Sequence, residues 1–307
     1  MNEYELAIVG GGPAGLSAGI YAGRRALKTA IFETAMPGGS MNWTTYMDNY
    51  PGFVHSMGME ISAKMKEHAE SAGATIINEE VMTIEKKGDS FLLKTATGNE
   101  YAAKAVILAT GAEHRKLGAK GEDVFEGRGV SYCTTCDAPL FRGKNVAIIG
   151  GGNTAITEAL LLADLAANVY IVHRKAAFEA EEVLVKRLEA AKNVKKIYNS
   201  VVLEITGDKF VKQIKIINTA TKQQTALDVG GVFVAIGTVP ASALAASVGA
   251  DVNDAGRIKT DARKATTCAG VFAAGDVTDG PLQQVVTAAA DGAIAAVSAH
   301  GYLKAKQ

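Results

Sequence analysis

Cys133 and Cys136 stand two residues apart, with Asp137 directly after them, in a 307-residue chain that holds three cysteines. Thiols at this spacing can share a metal ion, close a short loop, or carry a pair of electrons. A carboxyl group beside them can cap the next segment or move protons, since only a thiolate attacks and each departing thiolate needs a proton. No metal site is expected. Structural zinc needs about four ligands. Cys268 is the one cysteine left, and His55, His68, His114, His173 and His300 show no paired spacing. The remaining choice between staple and electron carrier depends on the rest of the chain.

Two stretches set the frame around the pair. "LAIVGGGPAG" puts an apolar strand before Gly10, Gly12 and Gly15, with Pro13 and Ala14 inside the turn. A helix-like run follows, then a second strand, "KTAIFE", ending at Glu33. This is a dinucleotide fingerprint in context: glycines that let the backbone approach a pyrophosphate, a helix start that favours negative charge, and an acid for a ribose diol. Shifted by 140 residues, the pattern returns without a gap. Gly150 falls on Gly10, Gly152 on Gly12 and Ala155 on Gly15, with Asn153 and Thr154 between. His173 falls on Glu33 and is followed by Arg174 and Lys175, a basic end that suits a ribose phosphate.

Two repeated units imply two bound dinucleotides. The strands "AVILATGA" (105–112) and "GVFVAIGT" (231–238) each end in small residues suited to closing one unit. A third, "GVFAAGDVTD" (270–279), ends at Gly275-Asp276 ahead of an alanine-rich helix, which puts Asp276 where a strand end meets a helix start. The expected architecture is α/β with two Rossmann-like dinucleotide-binding domains, the second inserted into the first. Residues 1–112 and 242–307 form one domain and 113–241 the other. Hinges are expected near Ala112-Glu113 and at Val239-Pro240-Ala241-Ser242.

Thirty-two basic and thirty-two acidic residues cancel, which removes the footprint of a nucleic-acid binder. No apolar run reaches the roughly 18 residues of a membrane span, and the opening residues lack a signal-peptide pattern. The sparse cysteines fit a reducing compartment, so a cytoplasmic protein is expected.

The chain resembles the low-molecular-weight thioredoxin reductases over its full length. The resemblance rests on "GGGPAG", "DNYPGF" (48–53), "ATGAEHRKLG" (109–118), "GRGVSYCTTCD" (127–137), "GGGNTA", "HRKAAFEA" (173–180) and "GVFAAGDV". It implies FAD in the first domain, NADPH or NADH in the second, a redox-active disulfide between Cys133 and Cys136, and a homodimer. The implied FAD contacts are Gly10, Gly12, Pro13, Ala14, Gly15, Glu33, Gly39, Asn49, Val81, Ala109, Thr110, Gly111, Gly275, Asp276, Gln283, Gln284 and Val285. The implied nicotinamide-nucleotide contacts are Gly150, Gly152, Asn153, Thr154, Ala155, His173, Arg174, Lys175, Ile236 and Gly237.

By the same resemblance, electrons pass from the nicotinamide through the flavin to the disulfide, and from the dithiol to thioredoxin or a thioredoxin-like protein. Cys136 would face the flavin, Cys133 would attack the partner, and Asp137 would serve as acid. The second domain would rotate about its hinges, so that disulfide and nicotinamide take turns. Pro139, Leu140 and Phe141 are expected to form a docking surface, or else local core, with Arg128 beside them. Cys268 reads as a small core hydrophobe. Alternatives are a same-core reductase fed by ferredoxin, one serving a peroxiredoxin-type partner, and a non-enzymatic flavin redox sensor. The chain departs from the family where an Arg-Gln motif reads Gln283-Gln284, and where "PGGSMN" (37–42) lacks the Gln-Leu pair common there. It also has Lys175 and Glu179 where two arginines are usual, which leaves NADPH only slightly favoured over NADH.

Overall fold

The computed structural model describes residues 2–44, 47 and 49–306. Two compact units are formed, one from Met1–Glu113 with Val239–Gln307 and one from His114–Thr238. The first begins with β1 (Asn2–Val9), α1 (Pro13–Gly23), β2 (Thr29–Phe32), α2 (Gly58–Ser71) and β3 (Thr75–Ile77). It continues through β4 (Val81–Lys87), β5 (Ser90–Thr95), β6 (Glu100–Leu108) and the crossing strand β7 (Ala112–His114). The second unit holds α3 (Glu122–Phe125), β8 (Val130–Ser131), α4 (Thr134–Asp137), β9 (Asn145–Ile149), α5 (Asn153–Ala163) and β10 (Asn168–Val172). Then come α6 (Glu182–Ala190), β11 (Val194–Ile197), β12 (Ser200–Gly207), β13 (Val211–Asn218), β14 (Gln224–Asp228) and β15 (Gly231–Val234). The chain returns through β16 (Thr238–Pro240) to α7 (Ala243–Ser247), β17 (Val271–Ala273) and α8 (Val285–Lys304).

In the first unit the sheet order is β3-β2-β1-β6-β5-β4, with β17 also paired to β6. β1, β2, β3, β6 and β17 run parallel, and β4 and β5 join in antiparallel fashion. In the second unit the order is β11-β10-β9-β15-β8, all parallel, beside the antiparallel sheet β12-β13-β14. Strands buried on both faces explain the unbroken apolar runs: Leu6 to Val9 and Val146 to Ile149 are all buried. This is the α/β architecture with Rossmann-like parallel sheets expected above.

Small side chains set how closely α8 lies on α1. A Cβ at Gly292 would come within 1.9 Å of the Ala14 carbonyl, and Ala288, Ala295, Ala296 and Ala299 are buried. The two crossing strands, β7 and β16, pair with each other.

One local expectation is corrected. The segment Gly275–Val277 forms a 3-10 turn, and α8 starts only at Val285, so Asp276 does not sit at the start of the long helix. Glycine at 280 and proline at 281 explain the delay, since glycine disfavours a helical conformation and the residue before a proline is pushed out of the α region.

Candidate functional site

The two repeated turns are built from matching hydrogen bonds. Gly10 N donates to Phe32 O at 2.8 Å, and Gly150 N to Val172 O at 3.0 Å. Ala109 N donates to Val9 O and Ala235 N to Ile149 O, both at 2.8 Å. Gly38 N donates to Gly11 O at 2.8 Å, and Glu179 N to Gly151 O at 2.7 Å. Gly10 has φ +105° and Gly150 φ +150°, in the region that favours glycine. A Cβ there would also strike the carbonyl of Ala109 or Ala235, at 2.2 and 2.4 Å. The small-residue ends of "AVILATGA" and "GVFVAIGT" thus pack against the turns.

Both turns fit a dinucleotide. A Cβ at Gly12 or Gly152 would meet nothing closer than 3.9 and 4.0 Å, so the backbone is open to close approach. Neither α1 nor α5 carries a side-chain cap, which leaves N–H groups for an anionic ligand. Gly111 and Gly237, at positive φ, have no atom within 4 Å of such a Cβ. Thr110 Oγ1 donates to Ala241 O at 2.6 Å, while Ile236 is half-buried beside Gly237.

The strand ends differ in chemistry. Glu33 Oε2 accepts from Gly11 N at 2.8 Å, and Oε1 from Thr34 N and Ala35 N at 2.8 and 3.0 Å. His173 lies under Gly151, where a Cβ would meet its Nδ1 at 2.2 Å. The imidazole is 5% exposed, its Nε2 has no hydrogen-bond partner, and burial pushes its pKa down. Burial thus favours its neutral form, and the positive charge beside this turn comes from the exposed Arg174 and Lys175. Lys175 is itself paired with Glu179 at 2.5 Å. Asn153 pins the same loop to the start of α5: its Oδ1 accepts from Glu181 N at 2.7 Å and its Nδ2 donates to Glu181 Oε1 at 3.1 Å. Thr154 and Ala155 continue that helical turn, with Ala155 buried.

Most of the residues expected to contact the first dinucleotide gather around the start of α1. Gly39 lies over Gly12, and a Cβ at Gly275 would meet Ala14 Cβ at 3.0 Å. Pro13 opens α1, Gly15 follows in its first turn, and Asp276 is the residue after Gly275. Burial pushes the Asp276 carboxyl upward while Arg257 pulls it down. Asn49 Nδ2 donates to Gln284 Oε1 at 2.9 Å, just before Val285 opens α8. With its amide oriented so that acceptor meets donor, Gln283 accepts from the Arg257 guanidinium at 2.6 and 2.8 Å. The cation missing from position 283 is thus supplied beside it by a different segment. Val81 stands apart, its side chain in the apolar core at the start of β4. Asp48 of the "DNYPGF" motif lies outside the described residues.

Cys133 and Cys136 are joined, with S–S 2.08 Å and Cα–Cα 5.3 Å. Cys133 is the N-cap of α4, and both cysteines are half-buried. Asp137 ends α4, and burial pushes its carboxyl upward against a hydrogen bond from Ser131. Ser131 Oγ also accepts from Cys133 N at 3.1 Å. Tyr132 OH donates to Glu122 at 2.7 Å, and the Glu122 carboxylate accepts from Leu117 N and Gly118 N at 2.8 and 2.9 Å. Sequence reading missed Ser131, Tyr132 and Glu122, because their roles depend on contacts with no fixed spacing. It also allowed Phe141 a docking role. Phe141 is 8% exposed and packs edge-on against Phe233, so it is core, while Pro139 and Leu140 are exposed. Cys268 is a free, half-buried thiol packed against the first unit's core.

Two dinucleotide turns and a Cys-x-x-Cys disulfide, with a half-buried acid at its flank, define a pyridine-nucleotide-linked disulfide oxidoreductase. The family model described as pyridine nucleotide-disulphide oxidoreductase matches residues 4–292. A thioredoxin reductase of Listeria monocytogenes is 40% identical over 302 residues, 98% of this chain and 94% of that protein. The thioredoxin reductase of Bacillus subtilis is 38% identical over 99% of this chain and 96% of its own. The crystal structure of thioredoxin reductase from Streptococcus pyogenes superposes with a TM-score of 0.90 at 40% identity, covering 99% of each chain. The chain belongs to the pyridine nucleotide-disulphide oxidoreductase family, on its thioredoxin reductase branch. No helix among the described residues is long and apolar enough to cross a membrane.

Proposed function

We propose that this chain is a thioredoxin reductase, a flavoprotein that uses NADPH or NADH to reduce the disulfide of thioredoxin or a thioredoxin-like protein. The observation that carries it is the Cys133–Cys136 disulfide, held at the start of α4 in a unit that repeats the first unit's dinucleotide turn. The first unit would hold FAD and the second the nicotinamide nucleotide. Bound there, the two dinucleotides would supply the two-electron chemistry that reduces the pair.

The chain's own residues do the rest. Glu33 holds the ribose of the first dinucleotide, and the glycine turns leave room for each pyrophosphate. Once reduced, the Cys133 thiolate attacks one sulfur of the partner disulfide and expels the other as a thiolate. Asp137, whose half-buried carboxyl keeps its proton more firmly than a free aspartate, donates to the departing sulfur. Cys136 passes its thiol proton to the Asp137 carboxylate and attacks Cys133 Sγ as a thiolate, which re-forms the internal disulfide; the second departing sulfur takes that proton from Asp137, and the partner leaves as a dithiol. Rotation about β7 and β16 would alternate the access of disulfide and nicotinamide to the flavin. The exposed Pro139 and Leu140 offer the partner an apolar contact. The working form is a cytoplasmic homodimer. Nucleotide discrimination is weak, because Glu179 neutralises Lys175 and leaves Arg174 as the free cation of the pair.

The test is disulfide reduction by the purified protein with NADPH and NADH side by side, using thioredoxin-like partners from the same source. The expected protein is yellow and releases FAD in acid. Cys133→Ser and Cys136→Ser each abolish reduction of the partner yet still bind flavin and accept electrons from the nucleotide. Full reductase activity in either variant, or a colourless protein that FAD does not reconstitute, overturns the reading.

A further inference from the structure

Between the two cysteines, Thr134 is 1% exposed, and its hydroxyl donates to Glu158 Oε2 at 2.8 Å. Glu158 lies in the second turn of α5, the helix that starts at the second dinucleotide turn and on which α4 packs. Thr134 also accepts through its backbone: Ala138 N donates to Thr134 O, while Cys136 N and Asp137 N donate to Cys133 O at 3.2 and 3.1 Å. The threonine therefore sits inside the hydrogen-bonded turn that carries both sulfurs. Its side chain is that turn's hydroxyl link to α5. A carboxylate acceptor, when ionised, makes a stronger bond than a neutral one.

We propose that Glu158 is a positioning residue for the Cys133–Cys136 pair, acting through the Thr134 hydroxyl to hold the loop in its disulfide-bonded form. The proposal rests on the redox role given to the pair above. Opening the disulfide adds two electrons and two protons and gives two thiols, which need no longer lie at bonding distance. A loop free to relax loses the alignment that Thr134 and Glu158 impose, so the bond favours the oxidised state. Asp137 handles protons at the sulfurs, whereas Glu158 touches neither sulfur and shifts the balance between the two states. The half-buried carboxyl of Glu158 has its pKa raised by burial and lowered by the Thr134 hydroxyl, so the link is strongest where Glu158 is ionised.

The experiment equilibrates the purified, flavin-containing protein anaerobically with mixtures of oxidised and reduced dithiothreitol at pH 7. Acid quenching, alkylation and mass analysis then give the fraction of the pair that is reduced. Glu158→Gln and Thr134→Val are each expected to shift the equilibrium toward the dithiol by about tenfold, or about 30 mV for two electrons. The double variant shifts it no further than either single one, because both remove the same link. Thr134→Ser, which keeps the hydroxyl, stays within about twofold of wild type. Unchanged equilibria in both single variants overturn the proposal, as do additive shifts in the double variant. Should Glu158→Gln fail to fold, Thr134→Val against Thr134→Ser decides alone. A wild-type pair that dithiothreitol cannot cycle at all instead refutes the redox role itself, so the two failures are distinct.

Discussion

Glu33 and His173 hold the same place in the two units. The backbone N–H of Glu33 donates to Ile77 O at 3.0 Å, and that of His173 to Ile197 O at 2.9 Å. Each side chain lies under the middle glycine of its turn. Their chemistry is opposite: one is an acceptor fixed by three main-chain N–H groups, the other a ring whose neutral form burial favours. Two copies of one scaffold thereby present different strand ends, and two different dinucleotides can be told apart at those ends.

The buried imidazole makes the stability of the second unit depend on pH. His173 binds a proton less readily when folded than when unfolded, because burial lowers its pKa below 6.5. The unfolded chain then binds more protons as pH falls through about 6.5, so stability is lost on acidification. The loss is at most about 1.4 kcal/mol per pH unit for this group. Urea unfolding at pH 7.5, 6.5 and 5.5 is expected to show a falling midpoint in the wild type and a shallower fall in His173→Asn. An identical pH dependence in the variant would show that His173 is not the titrating group.

Asp137 gives a second pH signature, read in turnover. Its folded carboxyl is raised by burial, against the Ser131 hydrogen bond, so it keeps a proton to higher pH than free aspartic acid. Disulfide reduction that needs this proton slows as pH rises through the raised value. Asp137→Asn is expected to lower kcat by about a hundredfold or more and to remove that alkaline decline, while flavin stays bound. A kcat profile from pH 5 to 9 decides it. A variant within threefold of wild type, with the same profile, would leave the proton to another donor.

How much the sequence alone revealed follows from what each contact depends on. The repeat is visible because the turn glycines, the closing strands and the strand-end acid stand at fixed spacings, and the main-chain bonds at those spacings recur in both units. The redox pair is visible because cysteine is rare here. Thr134 to Glu158 and Gln283 to Arg257 are 24 and 26 positions apart, and their pairing depends on how α4 lies on α5 and where the residue 257 segment returns. No periodicity encodes that. Phe141 was ambiguous for a related reason: an aromatic next to exposed Pro139 and Leu140 reads as surface until Phe233 is seen against it.

The proposed weak choice of hydride donor turns on the loop from Arg174 to Glu181. Glu179 N donates to Gly151 O at 2.7 Å, which fixes the loop over the second turn, and its carboxylate holds Lys175 at 2.5 Å. Lys175 in turn holds the Glu179 carboxyl below its ordinary value, which favours its charged form. A ribose phosphate arriving beside it meets one compensated lysine, one carboxylate and Arg174. Replacing the carboxylate with a guanidinium frees Lys175 and adds a planar donor that matches phosphate. Glu179→Arg is therefore expected to lower KM for NADPH by about five- to tenfold, screened at high salt because the site is exposed. KM for NADH stays nearly unchanged, since that nucleotide carries no charge at the same position. Steady-state kinetics with both nucleotides at low and high ionic strength make the measurement. If neither KM moves, Glu179 does not face the phosphate. If the wild type reduces its flavin with neither nucleotide, electrons must come from another donor, such as a ferredoxin, and the second turn serves a different ligand.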